Sequence, residues 1–192
     1  IAFKQRDGNN YIVSDVDGAN PITIELGDSP SGAAFSPDGK LLAIGSVFWE
    51  PKVEGAGYSE IRLFDSMGKH VRTFERNGAG AIRPVFSPDG KTLAAGNRNY
   101  GTQLFEVASG KLLHKLPRRM TQEHAFSPDG KLLAEGYVDG SGALWEVASG
   151  KLLHSAASTC TEVYSVAWSP QGDVLATSGR AGSIVLWDPR KL

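Results

Sequence analysis

Hydrophobic and polar residues alternate over short distances along the whole chain. Short runs of β-branched, aliphatic or aromatic residues are separated by Pro-Asp-Gly, Asp-Gly and Ser-Gly steps. Proline fixes one backbone angle of such a turn and glycine tolerates the other, so the chain reverses between runs. No run has the spacing of an amphipathic helix. The pattern therefore predicts an all-β protein of short antiparallel strands.

The same hairpin signal recurs four times. FSPDGK stands at 35–40, 86–91 and 126–131, and the variant WSPQGD stands at 168–173. An apolar strand follows each hairpin, and the next strand ends in an aromatic residue and an acid: IRLFD, TQLFE, GALWE and IVLWD. Self-similarity at such a period indicates a repeat architecture.

One phrase is written twice. EVASGKLLH occupies 106–114 and again 146–154, where a Ser-Gly turn leads into a fourth strand. Each unit is thus predicted to be a four-stranded antiparallel meander of about 40 residues, which cannot bury both of its faces alone. Stacked, twisted sheets of this kind form the blades of a β-propeller.

The two ends of the chain are predicted to be incomplete blades. Three strands are expected near 1–5, 10–15 and 22–26, and the last unit stops after its third strand. We expect one propeller domain or arc over 1–192, five consecutive blades cut from a larger ring; a complete but irregular small propeller is the alternative. The predicted divisions are a partial blade at 1–28, full blades at 29–77, 78–118 and 119–157, and a partial blade at 158–192.

The succession SPDGKLLA, a strand such as IVLWD and then SGKLLH resembles the WD-repeat family of β-propellers, particularly its regular bacterial members. The resemblance covers roughly residues 30–192, although the Gly-His pair typical of the family is absent. The Trp-Asp pair is intact only at Trp187-Asp188, the others being Phe64-Asp65, Phe105-Glu106 and Trp145-Glu146. The resemblance implies a propeller whose loop face contacts partners.

Composition narrows the function classes. Twenty basic and 21 acidic side chains leave a net charge of -1, which gives no general attraction to nucleic acid or to an anionic membrane. No apolar run could span a bilayer. Cys160 is the only cysteine, so neither an intrachain disulfide nor a cysteine-based zinc site is expected. Because the first residue is Ile1 rather than Met, we expect a trimmed chain or part of a longer one.

Catalytic motifs are missing from the sequence. It has no G-x-S-x-G, H-E-x-x-H, G-x-G-x-x-G or Walker pattern, and no cofactor is expected. His70, His114 and His154 lie at or near the start of fourth strands and are predicted to be surface residues. The alternative is a propeller hydrolase or lactonase with a metal in the central channel, which Asn97, Asn99 and Asp139 could face.

One substitution within the repeat is unusual. His124 occupies a slot that holds Ala33, Pro84 or Val166 in the other units, and Glu135 replaces an aliphatic residue or threonine on the facing strand. Counted through the hairpin, the two residues fall opposite one another. We predict a cross-strand hydrogen bond or ion pair between them; a catalytic dyad is the alternative.

The loops predict a partner-binding face. They are rich in arginine and aromatic residues, which are common at interface hot spots. The long insertion at 46–60 either packs internally or presents Trp49 to a partner. The candidate partner-binding residues are Phe48, Trp49, Tyr58, Arg76, Arg83, Arg98, Tyr100, Arg118, Arg119, Tyr137 and Arg180.

The expected function is a non-catalytic interaction scaffold or sensor module. Its partner would be another protein or another part of a longer chain, with no nucleic acid and no membrane insertion. A second alternative is a structural subunit whose arc is completed by another chain.

Overall fold

A computed structural model describes most of the chain. The described residues are 2–4, 10–13, 20–26, 29–49, 57–74, 77–78, 80, 82–97, 99–117, 120–157, 162–180 and 182–191. Strands dominate them, and the only helical segment among them is a 3₁₀ turn at Pro189–Lys191. No helix in these ranges has the length and apolarity needed to cross a membrane.

The first two sheets follow the chain in order. The first is formed by β1 (Ala2–Lys4), β2 (Asn10–Val13) and β3 (Ile22–Glu25). The second is formed by β4 (Ser29–Phe35), β5 (Leu41–Trp49), β6 (Gly57–Asp65) and β7 (His70–Thr73), and β8 (Asn77–Gly78) also pairs with β6.

Three further sheets complete the fold. The third contains β9 (Ile82–Phe86), β10 (Thr92–Asn97), β11 (Gly101–Glu106) and β12 (Leu112–Leu116). The fourth contains β13 (Thr121–Phe126), β14 (Leu132–Tyr137), β15 (Gly142–Glu146) and β16 (Lys151–Ala156). The fifth contains β17 (Val163–Trp168), β18 (Leu175–Gly179) and β19 (Ile184–Trp187).

This succession confirms the predicted fold class. Consecutive antiparallel meanders of four strands, with a three-stranded sheet at each end, are the blades of a propeller-type fold. The chain divides into two compact units, Ile1–Pro84 and Val85–Leu192. The division into blades at the boundaries predicted from the sequence stays a prediction.

A serine and an aspartate fix the Pro-Asp-Gly hairpins. In the second sheet the Ser36 hydroxyl donates to Asp38 Oδ1 at 2.6 Å and accepts from the Leu41 amide at 2.9 Å, while Gly39 has a φ of 70°. The Ser87–Asp89 and Ser127–Asp129 hairpins are built in the same way. The serine hydrogen bond is the main reason why the pKa values of Asp38, Asp89 and Asp129 lie below their ordinary range.

Apolar side chains pack between successive sheets within each unit. In the first unit Ile24 and Leu26 meet Leu42, Ile44 and Phe64 of the second sheet. In the second unit two such cores form. The third and fourth sheets bury Ala94, Leu104, Leu116, Phe126, Leu133, Tyr137, Ala143 and Trp145, and the fourth and fifth sheets bury Ala134, Leu144, Val163, Val166 and Leu175.

Candidate functional site

The insertion at 46–60 lengthens a hairpin beyond the pattern of the repeat. β5 and β6 have nine residues each, whereas the corresponding strands of the fourth sheet have six and five. Pairing continues through Phe48↔Tyr58 and Trp49↔Gly57. The extra length therefore carries two of the predicted aromatic residues, Phe48 and Tyr58, to a directly paired position.

The two rings form a stack with an arginine. The Phe48 and Tyr58 centroids are 4.8 Å apart with an interplanar angle of 6°, and both side chains are half-buried. The Arg62 guanidinium carbon lies 4.8 Å from the Phe48 centroid, a cation–π contact. We call Phe48, Tyr58 and Arg62 the aromatic stack.

Two fixed acceptors position Arg62. Its Nε donates to Glu60 Oε1 at 2.5 Å, and its Nη1 donates to the Leu26 carbonyl at 3.0 Å. Glu60 is buried, so this ion pair is shielded from water more than a surface pair would be. The guanidinium is thereby held in place over the Phe48 ring.

The chain after β7 is attached to the same hairpin. The Ser59 hydroxyl donates to the Gly80 carbonyl at 2.6 Å and accepts from the Gly80 amide at 2.9 Å. β8 adds backbone pairs at Tyr58↔Gly78 and Ser59↔Asn77. The base of the stack is therefore part of a five-stranded sheet.

The other candidate residues are scattered or lie outside the described ranges. Arg83, Tyr100 and Arg180 are exposed. The backbone of Trp49 pairs with Gly57, but its side chain lies outside the described parts of the structure. Arg76, Arg98, Arg118 and Arg119 also lie outside the described residues, as does Cys160.

Tyr137 requires a correction, because the structure places it in a core and not on a loop surface. Only 2% of its surface is exposed, and its hydroxyl donates to Glu135 Oε2 at 2.5 Å. The sequence did not predict this burial, because Tyr137 is the last residue of β14 and lies immediately before a turn. Tyr137 is therefore not part of the proposed partner surface.

Glu135 is a buried carboxylate between the third and fourth sheets. Besides the Tyr137 hydroxyl, its Oε2 accepts from Trp145 Nε1 at 2.7 Å. His124 is directly opposite Glu135 in the register, so both side chains leave the same face of the sheet. The predicted juxtaposition is present, while the bond or ion pair between the two residues stays a prediction.

A glycine makes room for His124. A Cβ added to Gly96 of β10 would lie 2.7 Å from His124 Nδ1 and 3.3 Å from Thr121 Cγ2. The imidazole is therefore packed against the neighbouring backbone. This close fit supports a structural role for His124 better than a catalytic one.

The residues considered for a metal site take part in turns. Asn97 Oδ1 accepts from the Asn99 amide at 2.7 Å, and Asp139 Oδ1 accepts from the Ser141 amide at 2.9 Å and from its hydroxyl at 2.5 Å. No group of three His, Cys, Asp or Glu that could hold a metal exists in the described part of the chain.

The predicted edge histidines have different surroundings. His70 is exposed and its Nε2 lies 3.0 Å from Thr73 Oγ1. His114 is half-buried, and its Nε2 lies 3.1 Å from the Ala148 carbonyl oxygen of the next sheet. His154 is also half-buried and lines a small cavity.

Described residues of the fourth and fifth sheets line an inner and an outer opening. The inner one has a volume of about 30 Å³, which suffices for about one or two water molecules. The outer one is a groove of about 370 Å³ at the hairpin ends, with Pro128, Leu132 and Trp168 among its walls. The inner cavity is too small for a substrate. The outer groove is open to solvent and is lined by both polar and apolar side chains.

Comparison with known proteins identifies the family that this propeller-type fold resembles. Residues 150–188 match the family model "WD domain, G-beta repeat". The matched segment contains β16 to β19 and ends at the Trp187-Asp188 pair. The predicted resemblance to WD-repeat propellers is therefore confirmed. Repeats of this family typically mediate protein interactions and are generally non-catalytic.

A solved structure supports the fold over most of the chain. The chain is similar to the computationally designed Ika4 protein, with 17% identity and a TM-score of 0.67, over 85% of this chain and 92% of that one. At this identity the likeness concerns the fold alone. No curated protein significantly matches the sequence.

Sequence reasoning missed two members of the site. Arg62 and Glu60 alternate with buried residues on β6, on the same face as Tyr58. The signal that could have revealed them is a pair of opposite charges two residues apart within one strand, which places both side chains on the same face.

Proposed function

We propose that this chain is a non-catalytic scaffold or sensor module that binds another protein through the aromatic stack of the β5–β6 hairpin. The observation that carries the proposal is the parallel Phe48–Tyr58 pair with Arg62 fixed over one ring. Aromatic residues and arginine dominate interface hot spots, and side chains that are already ordered lose little entropy on binding.

The surroundings support binding and not catalysis. The Arg62 charge is paired with Glu60 at 2.5 Å, so the stack offers half-buried aromatic surface beside a neutralised cation. Arg83, Tyr100 and Arg180 are exposed and stay candidates for further contacts. Arg76, Arg98, Trp49, Arg118 and Arg119 stay candidates on the basis of the sequence alone.

The test is quantitative recovery of partners by the tagged full chain from its native cells. Phe48→Ala combined with Tyr58→Ala should reduce the recovery of specific partners by about tenfold, because it removes both rings. Tyr164→Ala is the matched control, since Tyr164 is an exposed aromatic of the fifth sheet. Equal recovery by the double variant and wild type would contradict the proposal.

The hydrolase alternative can be tested separately by measuring the metal content of the purified protein. A channel metal would appear at stoichiometric level in the purified protein, whereas an interaction module needs none. The turn roles of Asn97 and Asp139 favour the interaction module.

A further inference from the structure

The fourth sheet buries two ionisable side chains beside each other. His124 of β13 is 3% exposed and Glu135 of β14 is 2% exposed. The two residues are directly paired in the strand register, so their side chains leave the same face of the sheet. The corresponding pairs of the second and fifth sheets carry no charge: Ala33 with Ile44, and Val166 with Thr177.

The hydrogen bonds of Glu135 indicate that its side chain is ionised. Its Oε2 accepts from the Tyr137 hydroxyl at 2.5 Å and from Trp145 Nε1 at 2.7 Å. Two donors on one oxygen favour a carboxylate over a protonated acid. The shorter distance also fits a hydroxyl that donates to a carboxylate, for which about 2.5–2.7 Å is ordinary. A negative charge is therefore buried in the apolar core that the third and fourth sheets share.

A buried carboxylate requires a positive charge nearby, because the burial of an isolated ion costs far more than a few hydrogen bonds return. The strands that pack around these two residues are β10, β13, β14, β15 and β17. None of these five described strands contains a lysine or an arginine. Among their residues, only His124 can carry the positive charge.

The other ionisable groups of the same strands do not compete for this role. Glu123 precedes His124 in β13, so its side chain leaves the opposite face, where its Oε1 accepts from the His124 amide at 3.2 Å. Glu146 of β15 and Tyr164 of β17 are exposed. β10 contains no ionisable residue, and Tyr137 of β14 is the donor already described.

The imidazole also forms a contact between two sheets. A Cβ added to Gly96 of β10 would lie 2.7 Å from His124 Nδ1 and 2.8 Å from Cε1. The ring edge of a fourth-sheet residue is therefore packed against the backbone of the third sheet. A change in the charge of His124 consequently acts on the interface between these two sheets.

We propose that His124 and Glu135 form a buried imidazolium–carboxylate pair that makes the interface between the third and fourth sheets sensitive to pH. The carboxylate holds the proton on His124 in the folded chain beyond the midpoint of about pH 6.5 that a histidine has in water. The pair therefore stabilises the interface fully below about pH 6.5, and this contribution is lost as the pH rises through the higher midpoint of the folded chain. A buried neutral histidine would have the opposite effect and would weaken the interface at acid pH. The inference does not depend on the function proposed for the aromatic stack.

The direct test is an NMR titration of the histidine ring protons in the full chain. Single changes of His70, His114 and His154 to glutamine assign three of the four histidine signals, and the fourth belongs to His124. We expect His124 to titrate at least about one pH unit above the ordinary midpoint of about 6.5. A midpoint at or below about pH 6.5 in the wild-type chain would overturn the proposal.

Glu135→Gln tests the source of the effect. This change keeps an oxygen that can accept from Trp145 and removes the negative charge. The midpoint of His124 should then fall by at least about one pH unit, because the opposite charge that held the proton is gone. An unchanged midpoint would mean that Glu135 is not the partner of the imidazolium and would reject the pair.

Amide hydrogen exchange tests the interface itself. Protection factors of β10 and β13 should fall by about tenfold between about pH 5.5 and pH 9, since a titration displaced by one pH unit changes the equilibrium by a factor of ten. The matched control is His124→Val combined with Glu135→Thr, which has the pair found in the fifth sheet, where Thr177 accepts from Trp187 Nε1 at 3.0 Å. Its protection factors should stay constant over this range. An equal fall in the control, or constant protection in the wild type, would contradict the proposal; if the control does not fold, the wild-type titration still decides.

Discussion

Two tryptophans at the same position of the repeat have different acceptors. Trp145 of the fourth sheet donates to the Glu135 carboxylate at 2.7 Å, and Trp187 of the fifth sheet donates to the Thr177 hydroxyl at 3.0 Å. In both sheets the acceptor precedes the tryptophan by ten residues. The repeat therefore determines the direction of the indole, while the acceptor can change.

The surroundings of the two indoles differ more than their bonds do. Trp145 is buried between the third and fourth sheets, whereas Trp187 is half-buried. Glu135 also accepts from the buried hydroxyl of Tyr137, whereas the fifth sheet has Gly179 at the position equivalent to Tyr137. The buried carboxylate of Glu135 is tolerated because two buried donors form hydrogen bonds with it. The hydroxyl of Thr177 is a sufficient acceptor for the single indole N–H of Trp187.

The largest effect is expected from Glu135→Val. This change leaves Trp145 Nε1 and the Tyr137 hydroxyl without their buried acceptor, so we expect a loss of about 3 kcal/mol in the free energy of unfolding. Urea unfolding measures it. A loss below about 1 kcal/mol would mean that the free-energy cost of burying the carboxylate nearly equals the stabilisation from its hydrogen bonds.

A smaller effect is expected from Thr177→Val, the matched change in the fifth sheet. It removes one neutral acceptor from a half-buried indole that water can also reach, so a loss of about 1 kcal/mol is expected in the same measurement. Ser178→Ala serves as the neighbouring control. A loss as large as that of Glu135→Val would refute the explanation by burial.

The smallest effect is expected from the hairpins that contain Asp129 in the fourth sheet and Gln171 in the fifth sheet. The pKa of Asp129 lies below its ordinary value of 3.8, chiefly through the Ser127 hydroxyl, so its carboxylate stabilises the folded state above that pH. This contribution is lost as the pH falls through the lowered pKa. Asp129→Asn should therefore reduce the decline in Tm between about pH 5 and pH 2, by about 1 °C or less because the group is exposed.

The fifth sheet offers the reverse change as a control. Gln171 stands where the other hairpins have aspartate, and Ser169 donates instead to Asp173 at 2.6 Å. Gln171→Asp should make the decline in Tm at acid pH slightly steeper. If the two variants change the pH profile in the same direction, the serine hydrogen bond is not the cause.

Most of the fold followed from local signals in the sequence. Pro-Asp-Gly turns and short apolar runs predicted the sheets and their incomplete ends, because turn conformation and strand pairing depend on a few neighbouring residues. The same counting placed His124 opposite Glu135, as the register confirms. Phe48 and Tyr58 were predicted for another reason, as aromatic residues of the insertion at 46–60, and their pairing across β5 and β6 is visible only in the structure.

The burial of individual side chains was decided by tertiary structure. Tyr137 looked like a loop residue and is a core residue, and Arg62 was not noticed although it completes the aromatic stack. Leu144 and Leu186 occupy the same position in the repeat, yet one is buried and the other is exposed. The sequence by itself determined the order of the sheets, their Pro-Asp-Gly turns and the register of His124 with Glu135, because these depend on local backbone geometry. Only the tertiary structure decided which faces are covered, because burial depends on the sheet that lies opposite.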